Sequence, residues 1–231
     1  QFNAARALGP AIGGLILGIA GAGWTLAAVV LFYGPMVVCL SLMDPTELHR
    51  RVREPAQRAG RHPAVVADYR AAVRYVFASP GIVTAIVTVS FISALAMPVV
   101  QQVVVFAEDV FEVSPFLFGL LGSAQGIGAV LSAPMVAGLI GSLRPSTQQF
   151  AATAGYGLAV AAFALAPTYA MGFGALAAIG LTHLVSASNL NSVVQLQVDD
   201  AMRGRVMAIY MVGVLGPLPF ANLLLGWLIS V

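Results

Sequence analysis

Long apolar runs, each about as long as a membrane is thick, alternate with shorter polar segments along this chain. A helix needs roughly 20 apolar residues to cross the hydrocarbon core of a bilayer. The predicted fold class is therefore all-α, a polytopic membrane helix bundle with seven transmembrane helices. They are predicted at residues 3–22, 24–43, 81–105, 116–140, 150–167, 171–198 and from 206 onward.

Residues 43–80 form the only long hydrophilic passage, and they hold seven of the eleven basic residues, all arginines. The other arginines fall on the same side as this passage if each apolar run crosses once, whereas the acidic loop 106–115 falls on the opposite side. Loops rich in arginine belong in the cytoplasm. We therefore expect loop 44–80 to be cytoplasmic. Within it, residues 65–77 have helical spacing of apolar positions, which predicts a short amphipathic helix. This helix lies either on the inner membrane surface or against the cytoplasmic face of the bundle.

The composition excludes a soluble globule. The chain is 59% hydrophobic and 9% charged, with a mean hydropathy of +0.91, whereas soluble domains carry about 25% charged residues. Because the arginines follow the membrane topology, the basic balance points to lipid headgroups and no nucleic-acid partner is expected. The single cysteine excludes a disulfide framework. His49 and His62 have no second ligand pair at metal-binding spacing, so neither a metal nor another cofactor is expected.

The first and last apolar runs share a short motif. Residues 6–10 read RALGP and residues 213–217 read GVLGP, six runs apart and pointing the same way. A parallel repeat with that offset is typical of the two halves of major facilitator transporters. The glycines and prolines expected to allow close helix packing and bending are Gly9, Pro10, Gly13, Gly14, Gly216 and Pro217.

Two segments resemble one branch of that superfamily. NAARALGPAIGG, residues 3–14, resembles its fifth helix, where exporters carry a G-P-x-x-G-G signature. VDDAMRGRVMAIYMV, residues 198–212, resembles the loop between helices ten and eleven in the enterobactin-exporter-like, transmembrane secretion effector subfamily. The resemblance implies a partial major facilitator fold, helices five to eleven, in a bacterial plasma (inner) membrane.

The resemblance also implies a division of the chain. Residues 1–43 would be the last two helices of the N-terminal lobe, 44–80 the interlobe loop, and 81–231 the first five helices of the C-terminal lobe. Helices one to four and twelve would be missing. The expected partners are those missing helices, the lipid bilayer and a small-molecule substrate.

Polar residues inside a membrane are costly and usually face a cavity or another helix. They concentrate in the third and sixth predicted helices, which the resemblance identifies as the cavity-lining helices seven and ten. The candidate cavity residues are His183, Asn189, Thr182, Ser186, Gln125, Ser90, Ser93, Gln101 and Gln102, the last two nearer the outer mouth. For each of them the alternative is a bond to a neighbouring helix without contact to a substrate.

His183 lies near the middle of its helix, on one arc with Thr182, Ser186 and Asn189. A proton relay at this histidine is one hypothesis, because imidazole changes charge near neutral pH. None of the seven apolar runs contains Asp or Glu. If transport is coupled to protons, we expect the coupling carboxylate in the missing helices.

A cytoplasmic gate is a second candidate site. Asp199, Asp200, Arg203 and Arg205 lie together after the sixth run, where opposite charges could pair in one conformation and part in another. The alternative is a topology anchor with helix caps.

The leading functional prediction is a secondary active exporter of small amphipathic molecules, such as drugs or siderophores, that works by alternating access. The alternatives are a carrier-fold sensor or scaffold that transports nothing, and a truncated inactive fragment. An enzyme is not expected, since one membrane histidine supplies no catalytic set. The absence of a G-x-x-x-x-G-K-[ST] motif disfavours an ATP-driven pump.

Overall fold

The structure is a computed structural model that describes residues 2–43, 61–95, 97–136, 138 and 142–230. Over these ranges the chain is almost entirely helical and contains no β-strand, which confirms the all-α prediction. Residues 44–60 of the predicted cytoplasmic loop lie outside the described ranges. The helices are α1 (Phe2–Ser41), α2 (Arg61–Ala78), α3 (Pro80–Leu95), α4 (Met97–Gln101), α5 (Val103–Val105), α6 (Pro115–Met135), α7 (Pro145–Ala164), α8 (Tyr169–Gln197), α9 (Arg203–Leu215) and α10 (Pro217–Ser230).

α1 is two helices that meet at Gly21. This residue has φ 81° and ψ 175°, a backbone conformation that glycine adopts without a Cβ clash. A cavity of about 470 Å³ is lined by residues from both halves, so the halves lie side by side. The break falls at the boundary between the predicted helices 3–22 and 24–43.

The third predicted helix, residues 81–105, is not one continuous helix. α3 ends at Leu95, and the short helices α4 and α5 and a π-helical turn, Phe106–Val110, follow it. Among the described residues the interruption is a turn at Gln102, between α4 and α5. Residue 96, between α3 and α4, lies outside the described ranges.

The later helices agree with the predictions, with ends moved by several residues. α6 is α-helical to Met135, and the described residues Val136 and Gly138 beyond it are π-helical. α7 begins at Pro145, five positions before its apolar run starts, with proline at its first residue. Thr168 caps α8 by accepting a hydrogen bond from the Met171 N–H at 3.4 Å. The last predicted helix is divided into α9 and α10 at Gly216 and Pro217.

Several helices are long and apolar enough to cross a membrane, so this is a multi-pass membrane protein. Among the described residues four segments qualify by length and composition, and a fifth does so if one sharply bent pair counts as one span. The four are Ala7–Ser41, Pro115–Met135, Tyr169–Gln197 and Arg203–Trp227, and the bent pair is Ala67–Ala78 with Pro80–Leu95. The first contains the Gly21 break and is long enough for two crossings. α7 does not qualify, so seven crossings stay a prediction.

α2 covers the residues for which an amphipathic helix was predicted. It turns by 98° into α3. Ala72 and Val76 are buried against the bundle, whereas Tyr69 and Phe77 are 62% and 74% exposed. The helix therefore packs on the bundle with one side and leaves two aromatic rings uncovered.

The core is centred on α8. α6, α7 and α3 pack around this helix, and α9 packs on α3. Ile82, Leu121, Phe163, Leu176 and Val206 are almost fully buried and come from five different helices. α1 contacts the rest of the described chain chiefly through α6, and most of its large apolar side chains are exposed.

Candidate functional site

The predicted packing motif brings α1 and α6 into close contact. A Cβ on Gly14 would lie 2.7 Å from both the Cα of Gly119 and the carbonyl oxygen of Pro115. A Cβ on Gly119 would meet the carbonyl oxygen of Pro10. The two backbones therefore approach this closely only because both glycines lack side chains. Gly9 and Gly13 have no such neighbour and instead line the cavity between the halves of α1.

A cavity of about 280 Å³ lies beside this contact. Its wall is mostly apolar and comes from α1, α4, α5, α6 and α8. The wall includes Pro10, Gln101, Gly122 and Gln125. Three of these, Pro10, Gln101 and Gln125, are candidates that the sequence suggested on separate grounds. The structure brings Pro10, Gln101 and Gln125 to one place.

The two glutamines give the cavity its polar side-chain groups. Gln125 is 8% exposed. Gln101 is tied to α10, because its Oε1 accepts a hydrogen bond from Asn222 Nδ2 at 2.8 Å. Each primary amide offers both donors and an acceptor, so this arrangement can orient a small molecule with hydroxyl or carbonyl groups. It offers no nucleophile or acid for covalent chemistry.

The polar arc of α8 lies against α7. Gln149 Nε2 donates hydrogen bonds to Ser186 Oγ at 2.7 Å and to Thr153 Oγ1 at 2.9 Å. Asn189 Nδ2 donates to Gln149 Oε1 at 3.2 Å and to the Pro145 carbonyl at 2.9 Å. These contacts fit the alternative reading of the arc, in which its polar groups join two helices.

His183 and Thr182 face the same neighbour. The imidazole of His183 and the ring of Tyr156 have centroids 5.5 Å apart. The Thr182 hydroxyl donates to the Ala178 carbonyl of its own helix at 2.7 Å, and its Cγ2 would lie 3.0 Å from a Cβ on Gly155 of α7. Neither residue lines the cavity that holds Gln101 and Gln125.

The other polar candidates of the third predicted helix, Ser90, Ser93 and Gln102, do not line this cavity. Ser93 Oγ donates to the Val214 carbonyl of α9 at 2.6 Å. Ser90 Oγ donates to the Ile86 carbonyl at 2.8 Å and lies against Gly213 of α9. Gln102 is the residue that precedes α5 and is half-buried, outside the cavity.

The predicted gate residues contact α2. Arg203 pairs with Asp200 at 2.7 Å, but Arg205 Nη2 pairs with Asp68 Oδ2 of α2 at 2.8 Å. The Tyr75 hydroxyl of α2 donates to Asp199 Oδ2 and accepts from the Asp199 backbone N–H, both at 3.2 Å. The charged loop is thus attached to the amphipathic helix at two points. Among the described residues no group of three side chains could hold a metal ion.

Aromatic rings pack together at the other end of the bundle. Phe106 lies 4.6 Å from Phe163, and Phe111 contacts Tyr169 edge to face, measured between ring centroids. The Tyr169 hydroxyl donates to the Leu117 carbonyl at 2.9 Å. These contacts hold the loop before α6 against α7 and α8.

Sequence reasoning missed Gln149, Asn222, Asp68 and Tyr75. Gln149 precedes the apolar run that predicted α7, and Asn222 is a lone polar residue within an apolar run. Asp68 and Tyr75 lie off or beside the apolar stripe of α2. A signal existed for Asn222 alone, since an isolated amide inside a membrane segment indicates a polar partner.

The comparisons with known proteins agree with this architecture. The family model for transmembrane secretion effectors matches residues 1–230. The chain therefore belongs to the transmembrane secretion effector family of the major facilitator superfamily. It is also similar to curated proteins named enterobactin exporter EntS. The relative from Shigella flexneri is 27% identical over 203 residues, which cover 88% of this chain and 45% of the relative.

The relative from Escherichia coli O1:K1 is likewise 27% identical over 203 residues and is covered to 46%. The chain thus spans about half the length of the curated relatives it matches. No solved structure matches the chain.

Proposed function

We propose that this chain is part of a secondary active transporter that exports a small amphipathic molecule of siderophore type. Membership of the transmembrane secretion effector family supports transport, and the similarity to enterobactin exporters supports the direction and the substrate class. The observation that carries the proposal is the cavity lined by Pro10, Gln101 and Gln125 at the contact between α1 and α6.

The cavity has the character of a small-molecule site. Ligand pockets of about 300–1,000 Å³ combine apolar walls with a few fixed polar groups. This one, at about 280 Å³, lies just below that range and holds two amide side chains in an otherwise largely apolar wall. A substrate with an apolar body and hydroxyl or carbonyl groups fits such a wall.

Alternating access is the mechanism we propose. α1 and α6 meet along a strip from Gly18 beside Phe116 to Pro10 beside Gly122. With loop 44–80 in the cytoplasm, the Gly18 end is the outer one, so the contact covers the outer side of the cavity. Separation of α1 from α6 along this strip would open the cavity outward. The division into lobes at residues 43 and 81 supplies the two bodies that move.

Coupling to a proton stays part of the proposal, without an assigned residue. His183 packs beside Tyr156 and lies outside the cavity, which supports a packing role for this histidine. We therefore propose that a coupling carboxylate would lie in the part of the relatives' length that this chain does not span.

The test is an efflux assay in cells that lack their own siderophore exporter and express the gene with its flanking coding sequence. Gln125→Ala removes a buried amide at the cavity wall. Loss of one such hydrogen-bonding group costs about 1–3 kcal/mol, so export should fall roughly fivefold or more. The matched control is Gln195→Ala, because Gln195 is exposed and bonds Asn191 of its own helix.

Secreted and retained siderophore would be quantified by mass spectrometry at equal membrane expression. Export unchanged in both Gln125→Ala and Gln101→Ala would contradict the proposed path. Absence of any siderophore export by the unaltered gene would remove the substrate class and leave the membership of the family untouched.

A further inference from the structure

Asn222 of α10 contacts a residue of the cavity wall without lining the cavity itself. Its Nδ2 donates to Oε1 of Gln101 at 2.8 Å, and Gln101 lines the cavity of about 280 Å³. α10 packs against both α3 and α4, so this hydrogen bond lies where the last described helix meets the broken third one. Any effect of Asn222 on a bound molecule therefore passes through the Gln101 amide.

The Gln101 side chain is oriented from outside its own helix. Gln101 is the last residue of α4, and the chain turns at Gln102. Gln101 is exposed, and among the described residues its side chain hydrogen-bonds Asn222 alone. A primary amide has its acceptor on one atom and its two donors on the other. With Oε1 held toward α10, the N–H groups of Nε2 have no partner in the described part of the chain.

The other end of the Asn222 amide has no evident structural purpose. Its Oδ1 is buried, and no hydrogen-bond partner for this oxygen lies among the described residues. A buried acceptor that stays unpaired costs free energy. The neighbours of Asn222 along α10 are apolar, and a leucine in its place would avoid that cost. The asparagine is therefore explained by its bond to Gln101 and not by the stability of α10.

We propose that Asn222 is a positioning residue that decides which end of the Gln101 amide faces the cavity. This role rests on the proposed function, because it sets the chemistry of the substrate group that meets this part of the wall. Since Oε1 is engaged by α10, Gln101 presents its two N–H donors to the cavity. The substrate group that binds there is a hydrogen-bond acceptor. A group with donors alone would leave those N–H groups unpaired.

The rest of the wall requires this acceptor to be uncharged. In the described part of the chain no charged side chain lines the cavity. A carboxylate or phenolate would lose its hydration there without gaining a cationic partner, which costs far more than one hydrogen bond returns. An ester or amide carbonyl meets both conditions, because it accepts a hydrogen bond and carries no charge.

The test compares two probes that differ in one group, resorcinol monobenzoate and resorcinol monobenzyl ether. Both have two aromatic rings and one hydroxyl, and the ester has a carbonyl where the ether has a methylene. Binding is measured by isothermal titration calorimetry on purified protein produced with its flanking coding sequence. One additional hydrogen bond predicts that the ester binds about fivefold more tightly than the ether.

The variants separate positioning from a structural role. Asn222→Leu releases the Gln101 amide, so the affinity ratio of the two probes should fall close to one. Gln101→Leu should give the same ratio, and the double variant should show no further fall, because both residues act through one hydrogen bond. The thermal unfolding midpoint of Asn222→Leu should not fall, since the change removes a buried unpaired oxygen.

A reversed preference and a matched control complete the design. Gln101→Glu should favour the ether, because Asn222 can donate to one carboxylate oxygen while the other faces the cavity without a donor. Asn191 belongs to a second Asn–Gln pair, in which its Oδ1 accepts from Gln195 Nε2, and neither residue lines the cavity. Asn191→Leu should therefore leave the affinity ratio unchanged.

The contrary results are equally defined. An unchanged ratio in Asn222→Leu together with a lowered unfolding midpoint would overturn the proposal and leave Asn222 as a link between α10 and α4. Equal binding of both probes to the unaltered protein, or binding of neither, would overturn it too. If Asn222→Leu does not fold, Gln101→Leu carries the test from an exposed position. Loss of siderophore export with the probe preference intact would remove the proposed function alone.

Discussion

α6 meets two neighbours through glycines on different faces, and the two contacts differ in what surrounds them. Toward α8, Cβ atoms on Gly128 and Gly180 would meet the backbone carbonyls of Ala177 and Gln125, respectively. Leu121, Leu176 and Ile179 fill the surroundings and are almost fully buried. Toward α1, the contact at Gly14 and Gly119 is equally close, but the large side chains of α1 are exposed.

The difference separates a permanent contact from one that can open. A close backbone approach inside a filled core cannot be undone without exposing or emptying that core. The contact with α1 is extensive as well, but among the described residues of α1 only Gly14 is buried, so no large side chain of α1 is enclosed beside it. We therefore regard α6 and α8 as one rigid unit, and the opening that we propose for transport is expected at the contact between α1 and α6.

The largest expected effect is at the α6–α8 contact. Gly180→Leu would drive a side chain into the backbone carbonyl of Gln125, which cannot rotate away. Overpacking at such a site should destabilise the protein by about 3 kcal/mol or more. Thermal unfolding in detergent would show a lowered midpoint, or the variant would not accumulate. Gly174→Leu is the control in the same helix, because a Cβ there meets nothing within 4 Å. Equal midpoints for both variants would refute the rigid unit.

An intermediate effect is expected where α7 joins this unit. Gln149→Ala removes the hydrogen-bond partner of Ser186, which is 1% exposed, and one partner of Asn189. An unsatisfied buried hydroxyl costs about 1–3 kcal/mol. The unfolding midpoint should fall, and Gln195→Ala should leave it in place because Gln195 is exposed. A fall of the same size in both variants would mean that the bonds to α7 add little.

The smallest effect on stability is expected at the α1–α6 contact. Gly14→Leu places atoms against Gly119 and Pro115, but α1 can move away, so the loss should stay below about 1 kcal/mol. The expected consequence of Gly14→Leu is a displacement of α1 relative to α6. Cysteines at positions 18 and 116 adjoin in the structure and should cross-link slowly when Gly14→Leu is present.

The cross-linking is measured in protein in which Cys39 has been replaced, so that Cys39 cannot react. Gly13→Leu is the control. Gly13 is adjacent in sequence, but a Cβ there meets nothing within 4 Å. Cross-linking at the unaltered rate in Gly14→Leu would show that α1 is not displaced and would remove the contrast between the two contacts.

The individual helices could largely be predicted from the sequence, but only some of their ends could. Gly21 ends the first half of α1 where the apolar run ends, because glycine alone adopts that φ easily. The start of α7 was missed because Ser146, Thr147 and Gln149 are polar, and the hydropathy pattern excluded them.

The candidate residues were selected by type, and the sequence could not show which of them lie together. Gln101 and Gln125 were separate suggestions until the fold placed both on one cavity with Pro10. Conversely, Thr182, His183, Ser186 and Asn189 share one arc of α8, and helical periodicity places them there without a structure. Periodicity does not tell which neighbour that arc faces.

The sequence by itself determined the class of the protein, its apolar helices, the amphipathic helix and the small residues at which helices approach. These features depend on local hydropathy and backbone preference, which each segment carries within itself. Only the tertiary structure decided that α8 turns its polar arc toward α7 and that Asp68 reaches Arg205. The rotation of a helix about its own axis is set by the shapes of all its neighbours together, and no single segment encodes it.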